Sequence, residues 1–264
     1  MNYFELNKES WNEFTPSHVD SDFYDVESFK NGASSLNHIE LEGLGDVSGK
    51  DLLHLQCHFG MDTLSLARLG ANVTGVDLSD VAIQVAKDLS SELNIPANFI
   101  NSNVYDLDKH LDGAYDIIYT SYGVLNWLED LDQWAQLVHR FLKPNGVFFI
   151  VEFHPFIYTL DHQDMKIKES YFKTGPMESI ADESYTDGSK TEKKNLKYVE
   201  WNHSLSEAIS SLRNAGLQLE SFNEYPYQVY NCFDHMVEIE KGKWVFEKYG
   251  SKIPYLYSIK MIKN

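Results

Sequence analysis

Residues 51–79 read DLLHLQCHFGMDTLSLARLGANVTGVDLS. Leu52, Leu53 and Leu55 open an apolar strand, and Phe59-Gly60 makes a turn. Thr63 to Leu69 then forms a short helix closed by Gly70. Val73 to Val76 is a second strand that ends on Asp77. This order is a βαβ unit, and ligands of open parallel sheets sit at the carboxyl ends of such strands. Asp77 stands about 20 residues past the turn, where an acid accepts hydrogen bonds from ribose hydroxyls. The unit therefore predicts a nucleoside-binding site.

Working outward, the alternation continues. Ser79 can N-cap a helix whose buried face is Ala82, Ala86, Leu89 and Leu93, with Asp80 complementing its dipole. Pro96 ends it, and Ala97 to Asn101 is a third strand. Asp116 to Thr120 is a fourth. Leu131, Trp134, Ala135, Val138, Phe141 and Leu142 mark an amphipathic helix stopped by Lys143-Pro144-Asn145-Gly146. Val147 to Phe153 is a fifth strand, apolar as if covered on both faces. Ser204 and Glu207 suggest a capping box for a helix ending at Gly216. Leu217 to Glu224 and Tyr255 to Ile262 complete seven strands. The fold class is α/β: a doubly wound, mostly parallel seven-stranded sheet with helices on both faces. Residues 1–264 read as a single domain. Residues 1–45, rich in aromatics, form a helical cap segment. Residues 156–203, with glycine turns at Gly175 and Gly188, form an insertion after strand five, a hairpin that serves as lid or interface.

The chain has 264 residues and a formal net charge of −18. That charge repels polyanions and argues against nucleic acid or an anionic membrane as partner. Two cysteines, Cys57 and Cys232, imply no disulfide framework and a reducing, cytoplasmic setting. Charged residues interrupt the first fifteen positions, so no signal peptide is expected. No run approaches the ~20 apolar residues of a membrane span. The ten histidines show no HExxH spacing and the cysteines no CxxC pair, so no metal is expected.

The strand order and the motif positions resemble class I S-adenosylmethionine-dependent methyltransferases, over roughly Asp51 to Phe153 and more loosely the last sixty residues. The first motif of that family is an acid followed by three alternate glycines; the matching positions are His54, Gln56, His58 and Gly60. Only the last is glycine, so Gln56 and His58 must hold a negative φ or push the ligand outward. Glycine at the third position lets the backbone approach the cofactor. A dinucleotide is the weaker alternative: its pyrophosphate needs a glycine-rich turn, and Asp62 would stand where a phosphate sits. The resemblance implies a Rossmann-like fold, S-adenosylmethionine as cofactor and S-adenosylhomocysteine as product. It implies cofactor contacts from Gln56, His58, Gly60, Thr63, Asp77, Leu78, Asn103, Val104 and Ser121. Asn103 reads either as an adenine partner or as an Asx turn. Tyr122 is a candidate wall of the acceptor pocket.

His154, at the end of strand five, is the candidate general base, with pinning by Pro155 as the structural alternative. His58, His162 and His203 stand behind it. By resemblance, a small-molecule acceptor lies among Trp11, Phe14, His18 and Tyr24 of the cap, Trp127, and Phe156, Tyr158, Tyr171 and Tyr185 of the insertion. The same rings could bury a homodimer face. The expected activity is methyl transfer by in-line displacement. The alternatives are a non-catalytic binding module of this fold and an NAD-dependent oxidoreductase.

Overall fold

The computed structural model describes residues 2–161, 163–181, 186 and 196–264. Three helices come first: α1 (Tyr3–Val19), α2 (Val26–Lys30) and α3 (His38–Leu44). The alternating core follows as β1 (Asp51–Leu55), α4 (Met61–Arg68), β2 (Asn72–Asp77), α5 (Asp80–Glu92), β3 (Asn98–Asn101), β4 (Tyr115–Ser121), α6 (Leu131–Phe141) and β5 (Leu142–Phe153). A hairpin of β6 (Met177–Ala181) and β7 (Leu196–Glu200) precedes α7 (Leu205–Asn214) and β8 (Leu217–Tyr225). A second hairpin, β9 (Met236–Glu240) with β10 (Lys243–Phe246), precedes the last strand, β11 (Leu256–Lys263).

The main sheet has seven strands in the order β3-β2-β1-β4-β5-β11-β8. β1 to β5 pair in parallel, and β11 runs antiparallel to both its neighbours. The order reverses between β1 and β4, and ligands of such sheets bind at that switch. Alternation splits β5 between two cores. Phe148 and Ile150 pack with α6 and α7; Phe149 and Val151 pack with the α3 side. Leu53 and Leu52 divide β1 the same way. Two covered faces explain why these strands read as continuous apolar runs.

Local signals act largely as the sequence suggests. The Ser79 hydroxyl accepts the Ala82 N–H at 3.0 Å and caps α5. At α7 the capping box is half made: Ser204 Oγ accepts from Glu207 N, while the Glu207 carboxylate turns to His203 Nδ1 at 3.0 Å. The Lys143–Gly146 stop lies inside the span of β5 as an irregularity, because pairing with β4 skips from Leu142 to Val147. The β9–β10 hairpin was not foreseen. Gly188, His162 and Tyr185 fall outside the described residues.

The N-terminal helix is tied across the molecule. Asn7 Nδ2 donates to the Val199 carbonyl at 2.9 Å, and its Oδ1 accepts the Val199 N–H at 2.8 Å. One side-chain amide thus pairs with β7 as a neighbouring strand would. Ser10 adds a bond to the Lys197 carbonyl. Near its other end, Asn12 binds Asp80 and accepts the Ser79 hydroxyl at the head of α5. Lys8 pairs with Asp80 at 2.9 Å. α1 therefore bridges the β6–β7 hairpin and α5.

Candidate active site

The turn after β1 carries three left-handed residues at alternate positions: Gln56 (φ +55°), His58 (φ +50°) and Gly60 (φ +81°). The expectation of negative φ at Gln56 and His58 is corrected. Both adopt the glycine conformation and keep their side chains, at about 1–2 kcal/mol each. What holds them is visible. Cys57 N–H donates to Val76 O, His58 N–H donates to Asp77 Oδ2 at 2.7 Å, and Gln56 Nε2 donates to Val124 O at 2.9 Å. Gly60 is required for a different reason than cofactor approach. A Cβ there would stand 2.8 Å from the Phe99 ring and 2.9 Å from Ala86.

Asp77 ends β2 and joins the turn to α5, its Oδ1 accepting Ser79 N–H at 2.8 Å. Burial pushes its carboxyl up to about 6, against the pull of these backbone N–H groups. A carboxylate has about four acceptor positions, and the backbone N–H groups of His58, Ser79 and Leu78 leave room for a ligand hydroxyl. Leu78, Asn103 and Val104 line the same cavity. Asn103 Oδ1 accepts Tyr105 N–H at 3.1 Å, which is the Asx arrangement; its amide NH2 is left for a ligand.

On the other side of Gln56, Asp62 heads α4 and lines the cavity. It accepts the Ser35 hydroxyl at 2.6 Å, and the Ser121 hydroxyl stands 3.5 Å away. Burial raises its carboxyl. Behind it, Glu40 is fully buried and accepts the Tyr122 hydroxyl at 2.7 Å. Burial first, and the Asp62 charge second, lift Glu40 to about 7. Gln56 Oε1 is buried with no hydrogen-bond partner. The amide cannot turn over without losing its bond to Val124 O, so this atom is a fixed acceptor awaiting a donor.

The loop after β4 is fixed by Glu152. Its carboxylate accepts the N–H groups of Gly123, Val124 (2.7 Å), Leu125 (3.1 Å) and Phe153 (2.6 Å). Beyond it the cavity meets the hairpin. Tyr198 and Glu200 alternate along β7 and share the cavity side. Asn126 Nδ2 donates to Glu200 Oε1, and burial lifts Glu200 to about 7. The cavity holds about 660 Å³, within the ~300–1,000 Å³ of small-molecule sites.

Of the residues singled out in the sequence, Gln56, His58, Gly60, Asp77, Leu78, Asn103, Val104 and Ser121 surround this one cavity, as do Trp11, Phe14, Tyr24, Trp127 and Tyr158. Thr63 does not line it. Its hydroxyl bonds His54 Nδ1 at 2.8 Å, a histidine that burial holds neutral by lowering its pKa to about 3. His154 also lies off the cavity, which corrects its candidacy as base. Its Nε2 meets Glu224 at 3.1 Å and its Nδ1 accepts Phe156 N–H. His18 stands 2.9 Å from His58 Nε2. His203 is bound to Leu128 O and Glu207. Phe156 and Tyr171 are not part of the lining. Glu200 and Asn126 are the residues that the sequence did not mark, and Asp62 was marked only as an acid that would oppose a phosphate. Only the position of Asp62 at the head of α4 was legible.

Residues 53–150 match the family model described as a methyltransferase domain. That stretch, over a third of the chain, is similar to methyltransferase domains. An uncharacterized methyltransferase of Synechocystis is 33% identical over 125 residues, 47% of this chain and 56% of its own length. A ubiquinone biosynthesis O-methyltransferase of Photorhabdus laumondii is 34% identical over 115 residues, 43% of this chain and 47% of its own length. The chain thus spans about half the length of the curated relatives it matches. An S-adenosylmethionine-dependent methyltransferase from Mesorhizobium loti superposes with a TM-score of 0.61, covering 89% of this chain and 100% of that one at 20% identity. That likeness establishes the fold. Within the matched stretch the turn is left-handed at Gln56, His58 and Gly60, and only the last of the three is glycine.

Proposed function

We propose that this chain binds S-adenosylmethionine across the β1–β4 switch and transfers its methyl group to a small-molecule acceptor. The buried Gln56 Oε1, without a partner among the described residues and belonging to a residue that shares one cavity with Asp62 and Ser121, carries the reading. A ligand ammonium supplies the donors this acceptor lacks, and the carboxylate absent at His54 is furnished by Asp62 from the next helix. The acceptor capacity left on Asp77 suits a ribose hydroxyl; Leu78 and Val104 suit the faces of adenine. Among the described residues no Lys or Arg lines the cavity, which suits a sulfonium and opposes a pyrophosphate.

When bound, the sulfonium supplies an already activated methyl group. The chain's own part is to hold the partners in line and keep water out. Glu152 fixes the loop that faces the reacting centre, and α1 with the β6–β7 hairpin covers it. Residues 1–264 thereby act as one unit, with 1–45 and 156–203 as its cover.

Calorimetric titration tests the site. Both S-adenosylmethionine and S-adenosylhomocysteine bind the wild type, and Gln56→Ala or Asp62→Asn weakens them about tenfold, one charged hydrogen bond's worth. Absence of binding to the wild type, or binding of NAD in their place, overturns the reading.

A further inference from the structure

One acid of the cavity is left over once the cofactor is accounted for. Asp77 serves the ribose and Asp62 the ammonium; Glu200 stands apart on β7. Its Oε1 is held by Asn126, and among the described residues no hydrogen bond reaches its Oε2. Asn126 Oδ1 is itself buried. Both residues line the cavity, and Asn126 Oδ1 has no donor among the described residues. Asn126 is five residues past Ser121, on the loop whose Val124 carbonyl holds Gln56, and Trp201 N–H donates to Asn126 O at 2.8 Å. Glu200 is thus locked to the loop that Glu152 fixes. Flat rings flank it: Trp127 lies 5.5 Å from Tyr198 and 5.2 Å from Trp11.

Resting on the methyl-transfer reading, we propose that Glu200 and Asn126 form the acceptor end of the cavity. They take a small aromatic amine or phenol that bears no anionic group, and Glu200 is the base. The Glu200 carboxylate takes the proton from the acceptor's phenolic hydroxyl or from its ammonium form. The lone pair so freed forms the bond to the methyl carbon, the carbon–sulfur bond breaks, and its electron pair stays on sulfur. The products are the methylated acceptor, neutral sulfide and protonated Glu200, which returns its proton to water. Asn126 Oδ1 accepts a second donor and fixes the approach. An anionic acceptor would meet Glu200 with no Lys or Arg among the described lining residues to offset the repulsion.

Three probes of one shape separate the outcomes: tyramine (cation), p-cresol (neutral) and 4-hydroxyphenylacetate (anion). Each is titrated into protein saturated with S-adenosylhomocysteine, in the wild type and in Glu200→Gln. Tyramine is expected to bind at least about tenfold tighter than the anion, with p-cresol between. Glu200→Gln closes that gap and leaves S-adenosylhomocysteine affinity within about twofold. Methyl transfer from S-adenosylmethionine to a bound probe falls about 100-fold or more in Glu200→Gln, the share of a general base, and Glu200→Asp restores part of it. Equal binding of the anion, no binding of tyramine and p-cresol, a gap that survives in Glu200→Gln, or no transfer to any bound probe overturns the proposal. A wild type that fails to bind S-adenosylhomocysteine instead refutes the cofactor reading, and this proposal falls with it.

Discussion

Asp77 joins the turn after β1 to the head of α5, and in the proposed binding mode its protonation sets the cofactor's affinity. In the free protein its carboxyl titrates near 6 because it is buried. Ribose hydroxyls donate to the ionised form, so binding lowers that value and affinity rises as pH climbs through about 6. Titrations with S-adenosylhomocysteine at pH 5 to 8 should show this slope, and Asp77→Asn should flatten it while weakening binding about 10- to 100-fold. A second outcome concerns Gly60. In Gly60→Ala the new methyl meets Phe99 and Ala86 at φ +81°. Left-handed strain and overpacking together predict a loss of about 2–5 kcal/mol, read from urea unfolding. Asp77 was legible because a strand end and a turn bracket it. His154 misled because parity decides where a strand end points: Phe153 lines the cavity, so its successor faces the opposite side. Thr63 failed by the helical equivalent, one residue of rotation past Asp62 turning its hydroxyl to His54.

Among the elements, the central alternation of strands and helices was readable from apolar runs and caps. Leu52–Leu55 and Val147–Phe153 announce themselves, and Ser79 and Ser204 cap as their types suggest. The cover was not readable in the same way. The face of β7 that carries Glu200 is set by Asn7, 192 residues away, pairing with Val199. No local pattern encodes that contact. Asn7→Ala leaves a buried backbone N–H and C=O without partners, at about 1–3 kcal/mol each. Hydrogen exchange should quicken across 196–200 in this variant. Stopped-flow displacement should show S-adenosylhomocysteine leaving several-fold faster. Unchanged exchange and release would show that α1 is not what holds the hairpin.

For the whole molecule, the buried acids give stability a pH dependence opposite to that of ion-paired ones. Glu40 and Glu200 titrate near 7 against an ordinary 4.5, and Asp77 near 6 against 3.8. Raised carboxyls favour the folded state while protonated in it. Their contribution is complete below the ordinary values and is lost as pH rises through 6 to 7. The net charge of −18 adds self-repulsion in the same direction. Ligand-free protein should therefore lose resistance to urea between pH 4.5 and 7.5, and Glu40→Gln should reduce that slope. A bound cofactor opposes the trend through Asp77. One feature of the architecture also bears on turnover. α1 reaches β7 with Asn7 and the head of α5 with Asn12, so in the proposed arrangement a single helix stands over both the donor's and the acceptor's ends. Admission of one and discharge of the other then share one opening event, and acceptors of very different nucleophilicity should converge on a common ceiling of maximal velocity.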